Sequence, residues 1–204
     1  IVRKVFYDCS RLKETTIPQS VTTIGELAFY HCVKLKSLNI PASVDCIGSK
    51  AFILCKGLTS LSVDNANTAY SSNNNIIYNK EQTRLVAAMS SYSGHLDLPA
   101  TVTEIGENAF VECDGLTSID LGNVVTIHDY AFFDCKGLKS ITLPESIETL
   151  GIGAFFNCTN LHQLTIPTTV TKIYHSAFNQ CNNLSFIYYG GSKAQWEEIS
   201  YVGT

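Results

Sequence analysis

Apolar and polar positions along this chain do not follow one helix or strand period throughout. They follow a longer unit of about 23 residues. Ala-Phe occurs at Ala28-Phe29, Ala51-Phe52, Ala109-Phe110, Ala131-Phe132, Ala154-Phe155 and Ala177-Phe178, and Val5-Phe6 opens the series. The steps between phenylalanines are 23, 23, 58, 22, 23 and 23. A Cys follows each Phe by three residues (Cys9, Cys32, Cys55, Cys113, Cys135, Cys158, Cys181) and a Leu by six (Leu12, Leu35, Leu58, Leu116, Leu138, Leu161, Leu184). Further apolar columns stand nine and eleven residues after the Phe. Others stand eight before it (Val21, Val44, Val102, Val124, Ile147, Val170) and five before it (Ile24, Ile47, Ile105, Ile127, Leu150, Ile173). A fixed period of this length is the mark of stacked supersecondary units.

The elements follow from the columns. Apolar residues two apart at the ninth and eleventh positions have strand periodicity. All five prolines (Pro18, Pro41, Pro99, Pro144, Pro167) follow that pair and lack the N–H that would extend a ladder. One coil cannot bury its own Leu, Ile, Val and Phe. Parallel stacking turns each column into a continuous interior, and each buried large side chain contributes roughly 1.5–3 kcal/mol. The expected fold is therefore an α/β-type repeat, a right-handed leucine-rich-repeat solenoid. Its concave face would be a parallel β-sheet of short strands and its convex side mostly irregular or short-helical. Gly25, Gly48, Gly106 and Gly151 are expected to supply a permissive turn on the returning side.

One domain is expected over residues 1–204. Its one long step holds a variant coil, 64–98, in which the repeat resumes in phase and no linker composition appears. Asn79-Lys80-Glu81-Gln82-Thr83 separates Ile76-Ile77-Tyr78 from Arg84-Leu85-Val86-Ala87-Ala88, which reads as a hairpin or two offset strands. The segments Asp64-Asn65-Ala66-Asn67 and Ser71-Ser72-Asn73-Asn74-Asn75 read as turns. Residues 188–204, with the sole Trp196, leave the pattern and are expected to cap the stack. At the other end Ile1 enters almost mid-repeat, so an upstream coil is expected to be missing.

Composition narrows the chemistry. With 14 Lys and Arg against 18 Asp and Glu, the net charge of −4 lacks the basic excess that phosphate neutralisation requires, so nucleic acid is not an expected partner. No apolar run reaches the roughly 20 residues needed to span a bilayer. Seven of the eight cysteines form one column, which favours small buried thiols over disulfides or metal; Cys46 lies outside it. The histidines have no metal-ligand spacing, and Asp64, Asn65 and Asn67 lack the closing Glu of a calcium loop, so an Asx-turn is the better reading. No nucleophile elbow, phosphate loop or dinucleotide fingerprint occurs. Neither enzyme activity nor a cofactor is expected.

The unit Ala-Phe-x-x-Cys-x-x-Leu-x-x-Leu-x-Ile-Pro-x-x-Val-x-x-Ile-Gly resembles the treponemal, or BspA-like, class of leucine-rich repeats over nearly the whole chain. The segment around Tyr70, Ser71, Tyr78, Asn79, Lys80 and Thr83, and Tyr188-Tyr189-Gly190-Gly191 with Gln195-Trp196, are also similar to segments of that family. The resemblance implies a secreted or surface-attached bacterial protein with a role in adhesion or cell contact. It implies no catalytic motif.

Residues eight and ten after each Phe face away from the buried positions. They are Glu14 and Thr16, Ser37 and Asn39, Ser60 and Ser62, His95 and Asp97, Ser118 and Asp120, Ser140 and Thr142, Gln163 and Thr165, and Phe186 and Tyr188. Solenoids bind macromolecules on such surfaces, which makes these the candidate partner-binding residues. Small Ser and Thr residues also suit an exposed sheet with no ligand, and only the last pair offers aromatic anchors. The expected partner is a host extracellular or bacterial surface protein. The alternatives are a spacer displaying another domain and a carbohydrate-binding module that uses Tyr78, Tyr188, Tyr189 and Trp196 as stacking platforms.

Overall fold

Each repeat lays down two strands, a longer one on the Leu-x-Ile columns and a two- or three-residue one ending on or near the Ile column, with the Ala-Phe segment returning the chain between them. In the computed structural model residues 1–202 are described, and the coils gather into two compact units, Ile1–Tyr92 and Ser93–Thr204. Each unit is a β-solenoid. The Phe columns count three coils in the first and four in the second. Residues 203 and 204 of the expected cap lie outside the described residues.

In the first unit β1 (Thr23–Ile24) pairs in parallel with β3 (Cys46–Ile47), and β2 (Ser37–Ile40) with β4 (Ser60–Val63), each register advancing by 23 residues. The variant coil then folds back on itself. β5 (Tyr70–Asn73), β6 (Ile76–Asn79) and β7 (Arg84–Ala88) form an antiparallel meander. The expected hairpin is thus present, but Ser71-Ser72-Asn73 is a strand and not a turn. Asn74 and Asn75 alone make the connection, with φ of 49° and 62°, as a two-residue hairpin turn with both central residues left-handed demands. The meander also covers the edge of β4: Leu61 N–H donates to Asn75 Oδ1 and Val63 N–H to Ser72 Oγ.

Asn67 fastens the variant coil to the coil before it. Fully buried, it donates through Nδ2 to the carbonyls of Pro41 and Val44, both at 2.8 Å, and accepts at Oδ1 from Ala69 N and Tyr70 N. Asp64 makes the Asx-turn to Ala66 N–H.

In the second unit β8 (Ser93–Asp97) pairs with β10 (Gly115–Asp120) across a register shift at Leu116/Ser118, and β12 (Ser140–Thr142) pairs with β14 (Gln163–Ile166) and that with β16 (Phe186–Tyr189). The short strands β9 (Glu104–Ile105), β11 (Thr126–Ile127), β13 (Thr149–Leu150), β15 (Lys172–Tyr174) and β17 (Ser200–Val202) form a second parallel ladder. A single turn of helix, α1 (Lys193–Glu197), precedes β17. Its start is set by a capping box in which Gln195 N–H donates to Ser192 Oγ and Ser192 N–H to Gln195 Oε1. It is the only helix among the described residues, so the returning side is irregular and not helical.

That returning side is nevertheless regular in its hydrogen bonds. The residues two before and two after every column Phe have positive φ: Lys4 and Asp8, Leu27 and His31, Lys50 and Leu54, Asn108 and Glu112, Tyr130 and Asp134, Gly153 and Asn157, Ser176 and Gln180. Only Gly153 among these is glycine. The alternation turns every second N–H towards the next coil, so Phe29 N donates to Ala51 O, Phe132 N to Ala154 O and Phe155 N to Ala177 O, each at 2.8 Å. The intervening N–H groups close three-residue turns within the coil, as Cys135 N does on Phe132 O. Inside the ribbon the Phe rings stack, with centroids 5.0 Å apart for Phe110–Phe132 and 5.1 Å for Phe132–Phe155, in the range favourable for offset rings.

The glycines five residues ahead of this ribbon serve a different purpose from the one their type suggests. Gly48 and Gly151 do not have positive φ. A Cβ on Gly48 would lie 2.4 Å from the Glu26 backbone nitrogen, and one on Gly151 2.6 Å from that of Asp129. Close approach of one coil to the next excludes a side chain there.

Two substitutions in neighbouring positions should therefore act in opposite senses. Gly48→Ala should cost about 2 kcal/mol or more by overpacking, while Lys50→Gly, at φ 62°, should be neutral or stabilising by up to about 1 kcal/mol. Asn67→Ala should cost about 3 kcal/mol, because it strands several buried backbone groups at once. Urea unfolding midpoints of the three variants provide the measurement.

Candidate functional site

Strand alternation sends the eighth and tenth residues of each repeat outward, and the parallel register then sorts them into rows. In the first unit Ser37 stands opposite Ser60 and Asn39 opposite Ser62, with Ser62 Oγ donating to Asn39 Oδ1 at 2.9 Å. Glu14 and Thr16 of the first coil are exposed but outside any strand. In the second unit one row holds His95 opposite Ser118, with Ser140, Gln163 and Phe186 in register on their own strands. The other holds Asp97 opposite Asp120, and Thr142, Thr165 and Tyr188. Ser62, Ser118 and Thr165 are half-buried and the other strand positions are exposed.

One cluster on this face has the residue types of a nucleophilic triad. His95 Nδ1 lies 2.7 Å from Ser118 Oγ and Nε2 lies 2.9 Å from Asp97 Oδ1. Its surroundings do not suit acyl transfer: the His95 and Asp97 side chains are 52% and 80% exposed, whereas catalytic electrostatics act in water-excluded sites. The contacts describe a surface hydrogen-bond chain that fixes the His95 ring between two strands.

At the far end the rings of Phe186 and Tyr188 lie 6.4 Å apart and 18° from parallel, and they are 59% and 53% exposed. The other aromatic residues proposed as stacking platforms are differently placed. Tyr78 is in the core, where burial pushes its hydroxyl up to about 12, so it is corrected from a platform to a packing residue. Tyr189 and Trp196 meet edge to face at 5.2 Å within the closing segment. Beside them Ile187 is 49% exposed on the other side of β16.

The cysteine column has a polar role that spacing did not reveal. The thiols of Cys32, Cys55, Cys135, Cys158 and Cys181 donate to the carbonyls of Phe6, Phe29, Phe110, Phe132 and Phe155, one coil back in each case, at 2.9–3.2 Å. A small side chain with one weak donor suits a buried site with one spare acceptor lone pair. Burial pushes the thiols of Cys113 and Cys135 well up, and a hydrogen bond from the neighbouring column thiol together with burial does the same for Cys55 and Cys158. No group of three or more His, Cys, Asp or Glu among the described residues could hold a metal ion, and no described helix is long and apolar enough to cross a membrane.

Coils of this length with Leu, Ile and Phe ladders define a leucine-rich-repeat β-solenoid. The model of the BspA type leucine-rich repeat region matches the chain in six copies over residues 1–92 and 89–203, and the chain belongs to that family. It is similar to a leucine-rich repeat protein of Eubacterium ventriosum (26% identity, TM-score 0.72, covering 86% of this chain and 54% of that one). It is also similar to a leucine-rich cell surface protein of Faecalibacterium prausnitzii (27%, 0.70, 98% and 65%). The pneumococcal vaccine antigen PcpA, at 19% identity and a TM-score of 0.62, shares the fold. The chain thus spans between about half and two thirds of the length of these structures. No curated protein is detectably similar in sequence.

Thiol reactivity separates the column from the rest. Because a thiolate is the reactive form, a disulfide reagent at neutral pH should modify the exposed Cys46 rapidly, the half-buried Cys9 more slowly, and Cys55, Cys113, Cys135 and Cys158 only on unfolding. Eight thiols should titrate after denaturation without reductant. Fast reaction of Cys135 in the native protein would contradict the assignment.

Proposed function

We propose that this chain is a noncatalytic protein-interaction module of a bacterial cell-surface or secreted protein, adhesive in character, and that it binds through the outward face of its longer strands. The observation that supports this reading most is the face of the second unit. There Ser118, Asp120, Ser140, Thr142, Gln163 and Thr165 stand in two fixed rows, with the exposed Phe186 and Tyr188 on the edge strand. A rigid parallel ladder holds those side chains in place before any partner arrives, which lowers the ordering cost of association. Exposed aromatic side chains are the type on which interfaces concentrate their binding energy. The face of the first unit, with Ser37, Asn39, Ser60 and Ser62, is a smaller surface of the same kind. A similar structure is described as a cell surface protein, which supports an extracellular or surface location.

Glycan recognition is the second reading, favoured by the near-parallel exposed rings of Phe186 and Tyr188. A spacer that only displays another domain would bind nothing saturably.

Capture of host extracellular and bacterial surface proteins by the immobilised chain distinguishes these. Ser140→Arg with Thr142→Arg, both at exposed positions, should abolish capture if the sheet face is the site. Undiminished capture would move the site elsewhere. Binding to arrayed glycans that disappears in Tyr188→Ala would favour the second reading over the first.

A further inference from the structure

The chain's net charge of −4 conceals two opposite halves. The first unit has ten Lys and Arg against six Asp and Glu, a formal +4, and the second has four against twelve, a formal −8. On the sheet face of the second unit this imbalance has no local counterpart: its ten outward positions include two Asp and one His, and no Lys or Arg. Asp97 and Asp120 are direct cross-strand partners. Like charges placed so are unfavourable for the sheet itself. Each has a neighbouring donor, His95 for Asp97 and Gly122 N–H for Asp120, yet neither faces a cationic side chain across the strands.

The opposite end of the face has the same preference in another form. Phe186 and Tyr188 expose ring faces that carry negative electrostatic potential, and such faces attract guanidinium and ammonium groups. Both ends therefore complement cations. The strands β10, β12, β14 and β16 follow one another, so at about 4.8 Å per strand the two ends are about 15 Å apart. Four or five residues of extended chain cover that distance.

We propose that the occupant of this face is a cationic polypeptide segment of another protein, laid across the strands with Lys or Arg on Asp97 and Asp120 and a further Arg on Phe186 and Tyr188. The assignment rests on the sheet face being the interaction surface. Electrostatic attraction of this kind steers association and weakens as salt is added. A second copy of the chain, presenting its positively charged first unit, is the competing occupant.

The full chain is titrated with a labelled peptide of alternating Arg and Ser, long enough to cross four strands, and with its Glu-Ser counterpart. The Arg peptide should bind and the Glu peptide should not. Raising salt from about 50 to about 300 mM should weaken binding by about tenfold or more. Asp97→Asn with Asp120→Asn, and separately Phe186→Ala with Tyr188→Ala, should each weaken it about tenfold. Glu145→Gln with Glu148→Gln removes the same charge from exposed positions off the face and should change binding less than about twofold. Equal loss in that control pair, or equal binding of both peptides, overturns the proposal, with unchanged thermal unfolding verifying that each variant is folded. Sedimentation at low salt is the further measurement. Self-association that is lost in the Asp97 and Asp120 variant would give the face to a second copy and overturn the claim for another protein.

The capture experiment separates the two levels of inference. If Ser140→Arg and Ser140→Glu abolish capture equally while the Asp97 and Asp120 variant has no effect, the face stands and the cationic partner falls. If neither Ser140 variant matters, the face itself falls. Loss with Ser140→Arg and retention with Ser140→Glu supports the proposal.

Discussion

The carbonyl oxygen of each column phenylalanine joins the coils of both units. It accepts the N–H of the Cys three residues on, which closes the turn within the coil, and in five coils the S–H of the Cys one coil ahead. Both lone pairs are then used in an interior where an unmade hydrogen bond would cost about 1–3 kcal/mol. The Phe N–H meanwhile points forward to the alanine carbonyl of the following coil. These bonds fix the repeat length within each unit, because an extra residue between two phenylalanines would break several of them together. The registers of the strand ladders, advancing by 22 or 23 residues, follow from this constraint.

The constraint also separates what is fixed from what varies. Inward columns are held to Leu, Ile, Val, Phe and Cys by volume and by one hydrogen bond. The outward columns have no such demand, so Ser, Asn, His, Asp, Gln and Phe all occur at equivalent positions. Charge is free in the same way, and the two units have come to opposite net values on the same framework. Binding character on such a scaffold is a property of composition on one face and needs no change in the backbone.

Legibility in the sequence follows the same division. The columns, the strand positions, the outward residues and the hairpin around residues 79–83 could all be read, because burial repeats and repetition is visible. The left-handed residues two before and two after each Phe could not, since Lys4, Leu54 and Tyr130 carry no common chemistry and the conformation is imposed by inter-coil bonding. Gly48 was misread because glycine serves both free φ and close approach, and only the neighbouring coil tells them apart. β5 was hidden by Ser71, Ser72 and Asn73, which favour turns unless a partner strand pairs with them. The Asn74-Asn75 turn was the available signal. Of the candidate site, the positions were legible and their chemistry only partly so. The His95–Ser118 contact depends on a cross-strand register, and the opposite charge of the two halves was present in the sequence as soon as they were counted separately.

The uniform one-coil offset of these contacts has a mechanical consequence. Within a unit each coil is bonded chiefly to its immediate neighbours, so tension on the chain at an open end loads one interface at a time. Peeling a single coil frees about 23 residues, roughly 80 Å of extended polypeptide, and leaves the next coil with its own bonds to its neighbour intact. A unit built in this way yields in steps, lengthening under load while the coils still stacked keep their outward rows in order.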